Sequence, residues 1–135
     1  MYIKIPLIKS IMTPFPYSIG IDATVSDARE YMEAHQIHHL PVVHDEKITG
    51  IINHRDFESE DVKNIAELEL ESPQLFDLND RLDNVLETMA DRHVDTVLVT
   101  KNSKLVGIFT YTDACRHFAS YLREEFGPHD GNDAA

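Results

Sequence analysis

Gly107-Ile108-Phe109-Thr110-Tyr111-Thr112-Asp113 stands 57 residues after Gly50-Ile51-Ile52-Asn53-His54-Arg55-Asp56 and has the same shape. Each heptad starts with a glycine and apolar residues, continues through polar ones and ends in an aspartate. The second belongs to an apolar run, Leu105 to Phe109, that follows the turn-type pair Asn102-Ser103, which reads as a buried strand. Thr110, Thr112 and Asp113 then fall where a helical pattern begins. Hydroxyls and a carboxylate at a strand-to-helix junction suit a sugar's hydroxyls beside phosphates resting on a helix N-terminus. The same residues also suit a plain cap, with Thr110 or Thr112 as N-cap.

The 57-residue shift extends well beyond the heptads. Pro16 meets Pro73, Glu30 meets Glu87, Met32 meets Met89, Val42 meets Val99 and Lys47 meets Lys104. Between the identities the apolar class is kept, as in Val25 with Leu82, Leu40 with Val97 and Ile48 with Leu105. Two half-size units of this kind pack about a pseudo-twofold axis, because neither buries its apolar face alone. A duplicated core accounts for the apolar matches. It accounts less well for Asp56 and Asp113, since a core requires no carboxylate.

The pattern predicts an α+β fold of two repeats, each strand-helix-strand-strand-helix. Residues 1–7 form an N-terminal arm, 8–61 the first repeat, 62–71 an acidic linker, 72–126 the second repeat and 127–135 a disordered tail. In the first repeat a helical turn is expected near Ile8 to Met12 and a short strand near Tyr17 to Ile19. Thr24 caps a helix over 25–35, Ile37 to Val43 and Lys47 to Ile52 are strands around an Asp45-Glu46 turn, and a second helix runs from His54 to about Asp61. In the second repeat Leu75-Phe76 is a strand and Asp80 caps the helix from Leu82 to about Arg92. Thr96 to Thr100 and Lys104 to Phe109 are strands. A last helix from Thr112 to Phe126 carries Ala114, Cys115, Phe118, Ala119 and Leu122 as its apolar stripe and stops at Gly127-Pro128. Asp56 to Glu71 holds seven acidic residues against Lys63 alone, which reads as a solvated linker, while Ile65, Leu68 and Leu70 let it pack down in places.

Bulk properties narrow the function classes. A chain of 135 residues buries enough surface to fold without disulfide or metal. Cys115 is the single cysteine, so no internal disulfide forms and a reducing cytosol is expected. The net charge of −12 repels polymeric phosphate, so neither a nucleic acid polymer nor an anionic membrane is an expected partner. No apolar run reaches membrane-spanning length and the N-terminus lacks a signal-peptide core, so a soluble, cytoplasmic protein is expected.

The chain resembles a tandem pair of cystathionine-β-synthase (CBS) domains, a Bateman module, from about residue 8 to residue 122. The resemblance rests on Ile11-Met12-Thr13-Pro14, Ala23-Thr24-Val25-Ser26-Asp27-Ala28, Ile37-His38-His39-Leu40-Pro41-Val42-Val43 and the two heptads, in order and repeated at a fixed offset. It implies a stand-alone regulatory module with two clefts between the repeats. An adenosine nucleotide (AMP, ADP or ATP) would bind there, with no other cofactor required. By the family motif Thr110 faces the phosphates or sugar, Asp113 accepts from the ribose hydroxyls and Thr112 adds a hydroxyl. Asp56 is the counterpart carboxylate, but Asn53 stands where the motif has Ser or Thr, which weakens that cleft.

In relatives the segment before Leu-Pro-Val-Val carries a basic phosphate contact, here His38-His39, serving the cleft whose aspartate comes from the other repeat. The resemblance therefore places His38 or His39 with Thr110 and Asp113, and places Asp95 and Thr96 with Asn53 and Asp56. Asp95 would repel phosphate, so one competent and one weak cleft are expected. Strand alternation allows only one of the two histidines to face the cleft. Phosphate favours a protonated histidine, so affinity should rise on acidification. Leu75 is a candidate lining of the adenine slot, or else plain core. His54 and Arg55 open a helix and are exposed or reach phosphate.

Other classes fit less well. His35, His38 and His39 span a helix-to-strand break and no cysteine or glutamate completes a zinc pattern, so no metal site is expected. Cys115 lies on an inner stripe with no activating neighbour and no catalytic fingerprint occurs, so no catalytic residue is assigned. The competing function is a ligand-free assembly module, because Phe118, Tyr121, Leu122 and Phe126 leave apolar surface on the last helix for a homodimer. In either function the regulated partner protein is unknown.

Overall fold

A computed structural model describes residues 4–58 and 61–127. Two sheets carry the repeats. In the first repeat β1 (Thr13–Pro14) and β2 (Ile19–Gly20) precede α1 (Val25–His35), β3 (His39–His44) and β4 (Lys47–Asn53). The second has β5 (Gln74–Asp77), α2 (Leu82–Arg92), β6 (Thr96–Lys101), β7 (Lys104–Thr110) and α3 (Tyr111–Phe126). The orders are β2-β3-β4 and β1-β7-β6-β5. In each repeat the strand before the helix pairs parallel with the first hairpin strand, β2 on β3 and β5 on β6. The hairpins are matched residue for residue, His39 opposite Asn53 and Thr96 opposite Thr110. Both turns hold two residues at positive φ, Asp45-Glu46 and Asn102-Ser103, the type I′ geometry that fits strand twist.

Local chemistry explains the elements. Thr24 Oγ1 accepts from Asp27 N at 3.0 Å and Asp27 Oδ2 accepts from Thr24 N at 3.3 Å, a full capping box. Val25, Ala28 and Met32 form the buried stripe of α1, and Leu82, Val85 and Met89 form that of α2. Both helices end in a left-handed residue, Gln36 and His93, again 57 apart.

The segments that lead into the repeats are exchanged. Ile8, assigned by sequence to the first repeat, is fully buried in the second repeat's core with Leu82, Val85, Met89, Val97, Val99 and Phe109. Ile65, in the acidic linker, is fully buried in the first repeat's core with Ala28, Met32, Leu40, Val42 and Ile52. Leu7 bridges Arg81 and Asn64 bridges Thr24. Each of these pairs maps onto the other under the 57-residue shift with the repeats reversed, which an approximate twofold relation requires. The two-residue β1, absent from the sequence expectation, belongs to this exchange and pairs antiparallel with β7.

Several local expectations change. Asp80 does not cap α2. The N-cap is Arg81, and Asp80 Oδ2 accepts instead from Asp77 N at 2.9 Å, closing the preceding turn. The helix start needs no side-chain cap there, because Leu82 N donates to Pro6 O at 2.9 Å. The helix expected from His54 is a 3-10 turn, His54–Glu58. β3 starts at His39 rather than Ile37, since Gln36 turns left-handed and Ile37 N bonds back to Met32 O. α3 buries no residue fully, and Cys115, placed by sequence on its inner stripe, is exposed. α3 meets the core through Ala114, while Phe118 and Leu122 are exposed. Of the tail expected over 127–135, Gly127 is the C-cap of α3 and residues 128–135 lie outside the described residues.

Candidate functional site

The end of β7 and the start of α3 bring the opening heptad's polar groups together. Thr110 is the N-cap of α3. Its Oγ1 accepts from Asp113 N at 3.3 Å, while Asp113 Oδ2 accepts from Thr110 N at 3.0 Å and Thr110 Oγ1 at 3.1 Å. The cap expected from sequence is thus present, and it orients the carboxylate rather than consuming it. Among the described residues Asp113 Oδ1 has no protein hydrogen bond, so its acceptor sites are open.

Thr110, Thr112 and Asp113 line a cleft of about 820 Å³ whose opposite wall is the first repeat's His38 and His39. That volume lies in the range of small-molecule sites, about 300–1,000 Å³. Both histidines line it, against the expectation that only one would. Strand alternation does not govern His38, which lies in the bend before β3. His38 also borders a neighbouring cavity of about 370 Å³ beside α1.

The third wall is the exchanged N-terminal segment, with Phe15 and Tyr17. Phe15 is 85% exposed and has a φ of 48°, a conformation that a bulky side chain adopts only under constraint. Its N–H donates to Val106 O at 2.9 Å, so β1's attachment to β7 holds the ring at the cleft. Sequence reasoning missed Phe15, Tyr17, Gln36 and Arg116. Arg116 carried a readable signal, since it is one helical turn after Asp113 and so shares its face.

Leu75 is 50% exposed on β5 and is not among the residues lining this cleft. Asn53 and Asp56 are also placed elsewhere. Asp56 Oδ2 accepts from Asn53 N at 2.7 Å, repeating the Asp113 arrangement. Asn53 is engaged on both sides of its amide, with His39 Nδ1 at 2.7 Å and Glu71 Oε2 at 2.8 Å. Glu71 adds a carboxylate beside Asn53, on the side where Asp95 was expected to weaken phosphate binding. Among the described residues no three His, Cys, Asp or Glu side chains are grouped to hold a metal ion, and His35 stacks on Tyr17 with ring centroids 4.0 Å apart.

A family model for the CBS domain matches residues 8–63 and again 65–120. The chain belongs to the CBS domain family. As a CBS pair it is similar over most of its length to other proteins and to solved structures. Hypoxic response protein 1 of Mycobacterium tuberculosis (strain ATCC 25618 / H37Rv) is 28% identical over 130 residues, spanning 87% of this chain and 89% of that one. The solved CBS domain pair of protein MJ0100, in complex with 5′-methylthioadenosine and S-adenosyl-L-methionine, superposes with a TM-score of 0.79 at 26% identity. That match covers 87% of this chain and 99% of the other. A crystal structure of Hypoxic Response Protein I with two coordinated zinc ions superposes with a TM-score of 0.71 at 26% identity, covering 83% and 98%. Among this CBS pair's described residues no helix is long and apolar enough to cross a membrane.

Proposed function

We propose that this CBS pair is a regulatory module that binds an adenosine-containing ligand in the Asp113 cleft and transmits its occupancy to a partner protein. The observation that carries this reading is the meeting, in one cleft, of a capped but half-free carboxylate with hydroxyls, imidazoles, a guanidinium and exposed aromatic rings. Asp113 Oδ1 offers acceptor sites to a ribose diol, with Thr110 and Thr112 beside it. Phe15 and Tyr17 offer faces for a base to stack on. Arg116, His38 and His39 are the groups available to the ligand's remaining polar substituent. The adenosine ligands of the MJ0100 pair support the ligand class. The function is regulatory rather than catalytic, and the protein is cytoplasmic.

The mechanism is differential affinity. A ligand that touches both repeats favours the arrangement in which they are held together, and shifts a partner's equilibrium only by that difference. The test is a melting and calorimetry panel on the purified chain with 5′-methylthioadenosine, S-adenosylmethionine, AMP, ADP and ATP. A ligand at 100 times its dissociation constant adds about 2.7 kcal/mol, a shift of several degrees. No shift and no heat from any of them would remove the ligand-binding reading.

A second reading, homodimeric assembly, has its own observation. Phe118 is 59% exposed and Phe126 78% exposed on α3, with Tyr121 and Leu122 partly exposed beside them. Such a run of apolar side chains on one helix marks a contact surface. Assembly and ligand binding use different residues, so one does not exclude the other.

A further inference from the structure

We propose that Glu71 and Asn53 are positioning residues that fix His39 as a hydrogen-bond acceptor toward the Asp113 cleft, so that the site selects adenosine ligands bearing N–H or O–H groups there over polyphosphates. The proposal rests on the adenosine reading above and names the ligand class within it. Asn53 and His39 are opposite partners at the end of the β3–β4 hairpin. Asn53 meets His39 Nδ1 on one side, at 2.7 Å, and Glu71 Oε2 on the other, at 2.8 Å. An ionised carboxylate only accepts, so it must face the amide NH₂. The amide carbonyl is thereby turned to His39, and His39 must donate from Nδ1. A neutral imidazole has a single N–H, so Nε2 carries a lone pair. His39 is half-buried and lines the cleft, and Nε2 is the ring nitrogen left to a ligand.

Glu71 is held in place by backbone as well as side chain, since Ile51 N donates to Glu71 O at 3.3 Å. The relay exists on one side only. The pseudo-equivalent of His39 and Asn53 is Thr96 and Thr110, and the position 57 residues before Glu71 is Pro14. The charges of the cleft agree with the tautomer. Its permanently charged side chains are Asp113 and Arg116, which cancel, and the whole chain carries −12. A triphosphate finds no surplus of permanent positive charge there, and His39 in the Nδ1–H tautomer presents it with a lone pair at Nε2. An uncharged nucleoside or a cationic sulfonium meets neither obstacle.

The test uses the full chain labelled with ¹⁵N-histidine. Long-range ¹H–¹⁵N spectra at neutral pH should show His39 in the Nδ1–H form. Asn53→Ala and Glu71→Ala should release it to a mixture of tautomers, while Glu71→Gln, which retains an acceptor oxygen, should keep mainly the Nδ1–H form. By calorimetry the wild type should bind 5′-methylthioadenosine at least about tenfold more tightly than ATP. Asn53→Ala should lose about three- to tenfold of that affinity, the worth of one neutral hydrogen bond, with ATP binding the same or tighter, because an Nε2–H tautomer can donate to phosphate. An Nε2–H signal for His39 in the wild type overturns the proposal without any variant having to fold. An unchanged tautomer and selectivity in folded Asn53→Ala, or ATP binding as tight as the thioadenosine, also overturns it. If His39 is in the Nδ1–H form and no adenosine ligand binds, the functional reading fails and takes the selectivity with it, while the positioning of His39 stands.

Discussion

Ile8 and Ile65 are 57 residues apart, both fully buried, and each lies in the core of the other repeat. The backbone exchange matches. Leu82 N donates to Pro6 O, and Val25 N donates to Lys63 O, both at 2.9 Å. Each helix therefore starts against a segment that precedes the other repeat in sequence.

Truncating either isoleucine should cost the whole pair. Ile8→Ala and Ile65→Ala should each destabilise by about 2–5 kcal/mol, the range for deleting a buried Ile side chain. Hydrogen exchange separates the exchanged arrangement from a local one. Ile8→Ala should speed exchange first in α2 and β6, and Ile65→Ala in α1 and β3. The reverse pattern would show that the segments pack on their own repeats.

The two glycines of the heptads lie where the exchanged segments pass. A Cβ at Gly50 would sit 2.7 Å from Leu70 Cβ, an atom fixed to its backbone, and 3.4 Å from Glu71 O. A Cβ at Gly107 would meet Met12 Sδ, with Met12 Cγ at 2.9 Å, on a side chain that can swing away. Gly50→Ala should thus cost about 2–3 kcal/mol, and Gly107→Ala about 1 kcal/mol, within the usual range for overpacking. Urea unfolding of both variants measures the order, and equal losses would count against this account.

Asp113 has two roles that a matched control separates. Asp113→Ala and Asp27→Ala each remove a capping-box carboxylate, at a cost of about 1 kcal/mol. Asp27 does not line the Asp113 cleft. Ligand affinity should fall at least about tenfold in Asp113→Ala, as for loss of charged hydrogen bonds, and stay at the wild-type level in Asp27→Ala. Calorimetry with 5′-methylthioadenosine reads this, and equal affinities in the two variants would remove the carboxylate from the site.

The exposed face of α3 is tested by charge. Phe118 is 59% exposed and stacks on Tyr121, with ring centroids 6.3 Å apart. Phe118→Asp should leave the melting temperature of the monomer nearly unchanged, as expected for an exposed position. It should weaken self-association at least about tenfold in sedimentation equilibrium. A wild-type chain that stays monomeric at high concentration would end the assembly reading.

Much of the fold was legible because the chain states it twice. The bounds of α1 and α2, the two hairpins and the Thr24 box followed from apolar spacing and cap chemistry, which are local. Asp80 misled because its carboxylate closes the turn before α2, while a carbonyl more than 70 residues away, that of Pro6, receives the helix's free N–H. The His54 segment misled because a helix-like sequence after β4 forms only a 3-10 turn. Within the cleft, Thr110, Thr112, Asp113 and the two histidines were named from sequence, and Arg116 was within reach through its spacing.

The sequence by itself determined the repeat, the alternation of elements, the family and the carboxylate with its hydroxyls, because each depends on residues close together or on a fixed offset. The tertiary structure decided what depends on chain crossing. It set Ile8 in the second core, brought Phe15 and Tyr17 to the wall of the cleft, and turned Glu71 and Asn53 toward His39. No local pattern encodes these, since burial and hydrogen-bond satisfaction are settled between segments distant in sequence.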